Sequence, residues 1–143
     1  MSATVEYLHI WEGGELPVID AFRPFKCVII IQSPPSFEWQ KTVSDWLVAS
    51  GCLYMMAWGE GCSGWDDSVD YANLEAWNWG EIPDDSFVMT TWHDNEPLSD
   101  VLGFARVGAH QGDIDTPVCL LIDIGQANRR EQMLDDYEQA WRD

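Results

Sequence analysis

Four short apolar runs punctuate the chain, and after each comes a longer stretch whose apolar positions recur every three or four residues. The runs are Lys26–Gln32 (KCVIIIQ), Cys52–Trp58 (CLYMMAW), Ser86–Trp92 (SFVMTTW) and Pro117–Ile124 (PVCLLIDI). Their length and bounding residues predict strands, and the unbroken first and fourth runs predict strands covered on both faces. The intervening stretches predict helices. After the first run, Ser33-Pro34-Pro35-Ser36 supplies caps and first-turn prolines. Trp39, Val43, Trp46, Leu47 and Ser50 then share one face, and Gly51 ends the helix. After the second, a short helix from about Trp65 to Trp77, capped by Ser63 or Asp66, turns Val69, Ala72, Asn73 and Ala76 inward. After the third, Leu98, Val101, Leu102, Ala105 and Ala109 fall at helical spacing. Gln126–Arg142 closes the chain as a helix with Met133, Leu134, Tyr137 and Trp141 on one stripe.

Strand and helix alternating four times predict an α/β fold, a three-layer Rossmann-like domain with a mainly parallel four-stranded sheet. Counting the runs in sequence, right-handed crossovers favour the order 2-1-3-4. Upstream, VEYLHIW at Val5–Trp11 predicts an extra edge strand or an extended arm, stopped by Gly13-Gly14. Glu15–Phe25, with Pro17 and Pro24, reads as a connection that packs Ile19, Phe22 and Phe25 onto the core. Residues 1–143 are therefore expected to form a single domain, with 1–25 as arm or edge strand and 26–143 as core. That length buries enough surface to need neither disulfide nor metal for stability.

Charge narrows the functional classes. Twenty-five Asp and Glu against seven Lys and Arg give a formal net charge of -18. Direct binding to nucleic acid or an anionic membrane needs cationic side chains, so both are excluded as expectations and a basic protein partner is favoured. The bias is also local. Between Thr42 and Ala105 there is no Lys or Arg, while twelve carboxylates occur. The start of the chain, MSATVEYLHIWEGG, lacks a basic segment followed by an apolar one, and no span is apolar over a membrane thickness, so a cytoplasmic location is expected.

In a parallel sheet the loops after the strands gather at one end, where ligands bind. Those loops carry Gln32 and Ser33; Glu60, Cys62, Trp65, Asp66 and Asp67; His93, Asp94 and Asn95; and Asp123, Gln126 and Asn128. No cofactor is expected, because Gln-Ser-Pro-Pro stands where a dinucleotide or phosphate loop would have glycines and a lysine, and proline has no N–H to offer a phosphate. Asp66, Asp67, Asp70, His93 and Asp94 could supply oxygen and imidazole ligands to a hard divalent ion, which is the chemistry of a metal-dependent hydrolase. The competing reading makes Asp66, Asp94 and Asn95 helix caps or solvated residues. Cys62 or Ser63 beside His93 would be needed for nucleophilic catalysis, and the surrounding carboxylates would oppose a thiolate. The cysteines at 27, 52, 62 and 119 lack metal-ligand spacing, and Cys27, Cys52 and Cys119 read as buried reduced thiols. His9 and His110 read as structural.

The chain has nine Trp. Trp39, Trp46 and Trp141 lie on inward helical faces, whereas Trp58, Trp65, Trp77, Trp79 and Trp92 cluster around the stretch Cys52–Trp79 and the end of the third strand, too many for one small core to hide completely. Aromatics ringed by charge are what interface hot spots are made of. The alternative is a thick aromatic core beneath the loops.

The run WLVASGCLYMMAWGEGCSGWDDSVDYANLE, with EIPDDSFVMTTWHDNEPL after it, resembles a family of small bacterial proteins of unassigned function, over about Pro24 to Arg106. The resemblance implies a bacterial cytoplasmic source and brings no catalytic residue. The functional expectation is a noncatalytic acidic module of immunity, inhibitor or anti-defence type. Its expected partner-binding residues are Trp58, Glu60, Trp65, Asp66, Asp67, Trp79, Trp92, His93 and Asp94. The alternatives are the metal-dependent hydrolase on Asp66, Asp67, His93 and Asp94, and a nucleic-acid mimic whose carboxylates imitate phosphates.

Overall fold

A computed structural model describes residues 4–141. In chain order its elements are β1 (Thr4–Ile10), β2 (Phe25–Ile31), α1 (Phe37–Ser50), β3 (Cys52–Gly59), α2 (Ser63–Ala76), β4 (Met89–His93), α3 (Leu98–Val107), β5 (Val118–Ile124) and α4 (Arg130–Gln139). Single turns of 3-10 helix occur at Asp20–Phe22 and Asp84–Ser86.

All five strands are parallel, in the order β1-β5-β2-β3-β4. The four apolar runs therefore stand as 3-2-1-4 rather than 2-1-3-4, and the N-terminal segment adds a fifth strand at the edge beside the fourth run. The reason lies in which face each helix takes. α1 and α2 pack against each other on one face, so the chain adds β3 and then β4 in a single direction. The return from β4 to β5 through α3 uses the other face. A right-handed crossover ties the direction of addition to the face, but nothing local says when the direction reverses.

Alternation along the strands divides the core in two. Cys27, Ile29, Ile31, Met55, Ala57, Leu120 and Ile122 meet Val43, Leu47, Trp65 and Val69 on the α1/α2 side. Val28, Ile30, Met56 and Leu121 meet Val101, Leu102, Met133 and Tyr137 on the α3/α4 side. The connection between β1 and β2 covers the rest of the first face with Ile19 and Phe22, and the Trp46 indole donates to the Pro17 carbonyl at 2.8 Å.

Local signals explain most boundaries. The Ser36 hydroxyl accepts from the Trp39 N–H, and Gly51, at a φ of 101°, closes α1 by donating to the Leu47 and Val48 carbonyls. β4 starts at Met89, three residues later than the pattern predicts. The Asp84–Ser86 turn intervenes, and the buried Asn73 amide holds the Ser86 carbonyl and the Val88 N–H. α4 ends at Gln139, so Trp141 lies beyond it and is exposed, contrary to its place on the expected stripe. Its ring rests where a Cβ on Gly103 would stand 2.3 Å away. Ala76, expected to face inward, is exposed at the end of α2. All four cysteines are free and buried. Among the described residues no helix is long and apolar enough to cross a membrane.

Candidate functional site

Five parallel strands place five C-terminal ends on one rim, and the two halves of that rim differ. The strand order reverses between β2, from which the chain moves toward β3, and β5, whose following helix α4 packs over β1. A crevice of about 510 Å³ opens there, lined by His9, Trp11, Ser33, Pro34, Gly125 and Gln126 among others. This is the place where a doubly covered sheet usually takes a ligand.

Beneath the crevice lies a closed polar network. Asp123, fully buried in β5, accepts from the Tyr7 hydroxyl at 2.6 Å and from the Gln32 amide at 2.8 Å. The Arg129 guanidinium grips the same carboxylate through two nitrogens, at 2.9 and 3.2 Å. The Arg129 backbone N–H in turn donates to the Tyr7 oxygen at 2.9 Å. A buried carboxylate needs such partners, because an unpaired charge in a low-dielectric interior is costly. Burial and the Asp123 hydrogen bond push the Tyr7 hydroxyl up to about 12, and the Asp123 carboxylate raises the Arg129 pKa. His9 is tied through Nε2 to the Gly125 carbonyl at 2.7 Å. These groups join β1, β2, β5 and the start of α4, and their hydrogen-bonding capacity is spent on each other. Pro34 and Pro35 on the crevice wall leave no row of N–H groups for an anion.

The β3/β4 half is built otherwise. Trp58, half-buried on the α3/α4 side, donates its indole N–H to the Glu96 carbonyl at 2.7 Å. His93 lies in register with Trp58 on that side, 5.9 Å from the Phe104 ring. Its Nε2 meets the Thr91 hydroxyl at 2.9 Å and its Nδ1 the Glu96 carboxylate at 3.1 Å. Thr90, one position out of phase, faces α2, where its hydroxyl lies between Asp66 and, at 3.0 Å, Asp70. Desolvation raises the Asp70 carboxyl above its usual range, opposed by the Thr90 hydrogen bond and reinforced by the charges of Asp66 and Asp67.

That parity separates the expected metal ligands. Asp66 and Asp70 are on the α2 side of β4 and His93 is on the other, and Asp67 and Asp94 are exposed. Among the described residues no three His, Cys, Asp or Glu side chains come together in a way that could hold a metal ion. Cys62 is buried, and burial pushes its thiol up; the His93 backbone N–H lowers it in part, and the charge of Asp94 raises it further.

The aromatics expected at a binding surface divide. Trp65 is 1% exposed and packs in the α1/α2 core, so it offers no surface to a partner, which corrects its place in the expected set. Trp79 and Trp92 are 57% and 48% exposed but stand at opposite ends of β4, Trp92 near its C-terminal end and Trp79 in the connection from α2 to its N-terminal end, which corrects the expectation that both belong to the loops after the strands. Trp79, at a φ of 61°, packs edge-on against the exposed Tyr71 ring at 5.6 Å between centroids. Glu60, Asp67 and Asp94 are exposed, and Asp66 is half-buried against Thr90. Tyr7, Arg129, Thr90 and Glu96 carry much of the rim's polar structure without having been singled out in sequence. A lone Asp inside LLIDI was the available signal for the first two, since such a carboxylate demands a cation.

The chain forms a parallel α/β domain whose β1–β5–β2 side is locked by polar contacts and whose β3–β4 side is acidic and carries exposed aromatics. The chain belongs to the family described as a domain of unknown function (DUF7684), which matches residues 5–140. This agrees with the resemblance to a family of unassigned function. No curated protein and no solved structure matches the chain.

Proposed function

We propose that this domain is a noncatalytic protein-binding module. On this reading a Rossmann-like scaffold presents an acidic, aromatic surface at the C-terminal part of α2, the following connection and β4, and a basic protein docks there. Neutralising such a partner is what an immunity protein, inhibitor or anti-defence factor does.

One observation carries the reading. Eleven large apolar side chains are exposed among the described residues, and six of them, Tyr71, Trp77, Trp79, Phe87, Met89 and Trp92, fall between positions 71 and 92. That span lies wholly within the segment that has twelve carboxylates and no Lys or Arg. Opposite charge speeds encounter, and desolvated aromatics then supply most of the affinity. The Asp123 half of the rim supports the same conclusion, since its polar groups are already satisfied by one another.

Affinity capture from the native host, at low and at moderate salt, is the test. A partner retained at low salt, released by salt, and bound at least about 30-fold more weakly by Trp79→Ala or Trp92→Ala is expected. A partner indifferent to both replacements and to salt would sink the proposal, and a captured DNA-binding protein displaced by duplex DNA would favour mimicry of nucleic acid.

A further inference from the structure

β4 is a free edge. Among the described residues it pairs with β3 alone, and the backbone groups on its other side meet no described strand. Native sheets commonly blunt such an edge with Lys, Pro or an inward-pointing charge. Met89–His93 contains no Lys, Pro or carboxylate, and its one ionisable side chain, His93, lies at the strand's end against Glu96 and Phe104. The opposite edge, β1, carries Glu6 within the strand and has α4 packed over it.

The surroundings of β4 are uniformly acidic. Asp84 and Asp85 precede it, Asp94 and Glu96 follow it, and Asp66 and Asp70 flank Thr90 on the α2 side. Thr90 and Trp92 share that side, while Met89, Thr91 and His93 occupy the other.

From this arrangement we infer that β4 takes an extended segment of the partner as a sixth strand. The segment alternates basic residues, facing Asp66, Asp70 and the Trp92 ring, with apolar residues beside Met89. The inference rests on the protein-binding reading above and adds to it the partner's conformation. Main-chain bonds to the edge give affinity, and alternate side chains give specificity. Cations over Trp92 gain a cation–π contact as well as the carboxylates. A second copy of this chain is disfavoured as the occupant, because edge-to-edge pairing would bring the same six carboxylates together from both sides.

The test uses the full chain and three short synthetic peptides. The first alternates Lys and Val. The second and third are the same peptide N-methylated at all Lys or at all Val nitrogens, which removes the donors from one edge only. Trp fluorescence reads affinity at low salt and amide hydrogen exchange reads β4. The parent peptide is expected to bind and to protect amides within residues 89–93. One methylated peptide retains that binding, and the other loses at least about tenfold because its donors to the edge are gone. Equal binding by all three peptides overturns strand addition while leaving an acidic, aromatic docking face intact. Failure of the parent to bind also overturns it, and the capture experiment then decides the broader reading separately. Dimers with protected β4 amides in the absence of peptide would assign the edge to a second copy and overturn it too.

Discussion

The β1–β5–β2 and β3–β4 sides of the molecule treat polar groups in opposite ways. In the β1–β5–β2 half, one buried carboxylate is enclosed by a hydroxyl, an amide and a guanidinium drawn from three other segments. In the β3–β4 half, carboxylates outnumber their partners, no Lys or Arg lies between Thr42 and Ala105, and large aromatics stay in water. The first half contributes to stability and spends its bonding capacity doing so. The second leaves Trp79, Trp92, Asp67 and Asp94 exposed. On the proposed reading it is exposed aromatics among carboxylates, and not polarity alone, that mark the docking surface.

The sharpest way to break this contrast is to remove its centre. Asp123→Ala strands a half-buried guanidinium and a buried phenol, and a loss of about 3–5 kcal/mol in urea-unfolding free energy is expected. Trp65→Ala should cost a similar ~3–5 kcal/mol, because Trp65 is a core residue despite its place in the acidic stretch. Equal behaviour of Trp65→Ala and Trp79→Ala would erase the distinction between the two kinds of Trp.

Tyr7→Phe keeps the ring and deletes the hydroxyl between Asp123 and Arg129, for an expected loss of about 1–2 kcal/mol. The phenol's pKa is about 12 in the folded protein and about 10 when unfolded. The folded state holds the proton more tightly, so this contribution is complete below the unfolded value and declines as pH rises toward the folded one. The Phe variant should lack that alkaline decline in denaturation measured across the same range.

Asp70 tests the other half. Its carboxyl is raised by burial, so the folded state again binds the proton more tightly. Stability attributable to this group falls as pH rises from the ordinary carboxylate value of about 3.9 through the folded one. Asp70→Asn should flatten that slope and, at neutral pH, gain a few tenths of a kcal/mol by relieving repulsion from Asp66 and Asp67. Smallest of all, Trp79→Ala and Trp92→Ala should stay within about 0.5 kcal/mol of the parent in thermal or urea unfolding.

What the sequence revealed followed from local physics. β2 and β5 were legible because continuous apolar runs of strand length have few other uses, and α1 because Ser36 and Gly51 mark its ends. Strand order was not legible, since it depends on the point at which the chain stops adding strands in one direction. The late start of β4 depends on Asn73 reaching Ser86 and Val88, a contact no window of sequence contains. Trp65 could have been assigned to the core, because it stands four residues before Val69 on the same helical stripe. Its neighbours in a loop-like composition obscured that period. The Asp123 network joins residues up to 122 positions apart, so only the need for a partner, and not the partner, could be read.

The position of β1 also bears on how the chain acquires its structure. Among the described residues the first strand has a single neighbour in the sheet, and that neighbour is the last strand. Tyr7 and Asp123, which clasp across the pair, are separated by 116 residues. As the chain leaves the ribosome, residues 4–10 have no sheet partner until β5 has emerged. Closing so long a loop is slow, and a lone apolar strand is exposed meanwhile. Glu6, in the middle of that strand, gives the waiting segment a charge that discourages pairing with the wrong edge.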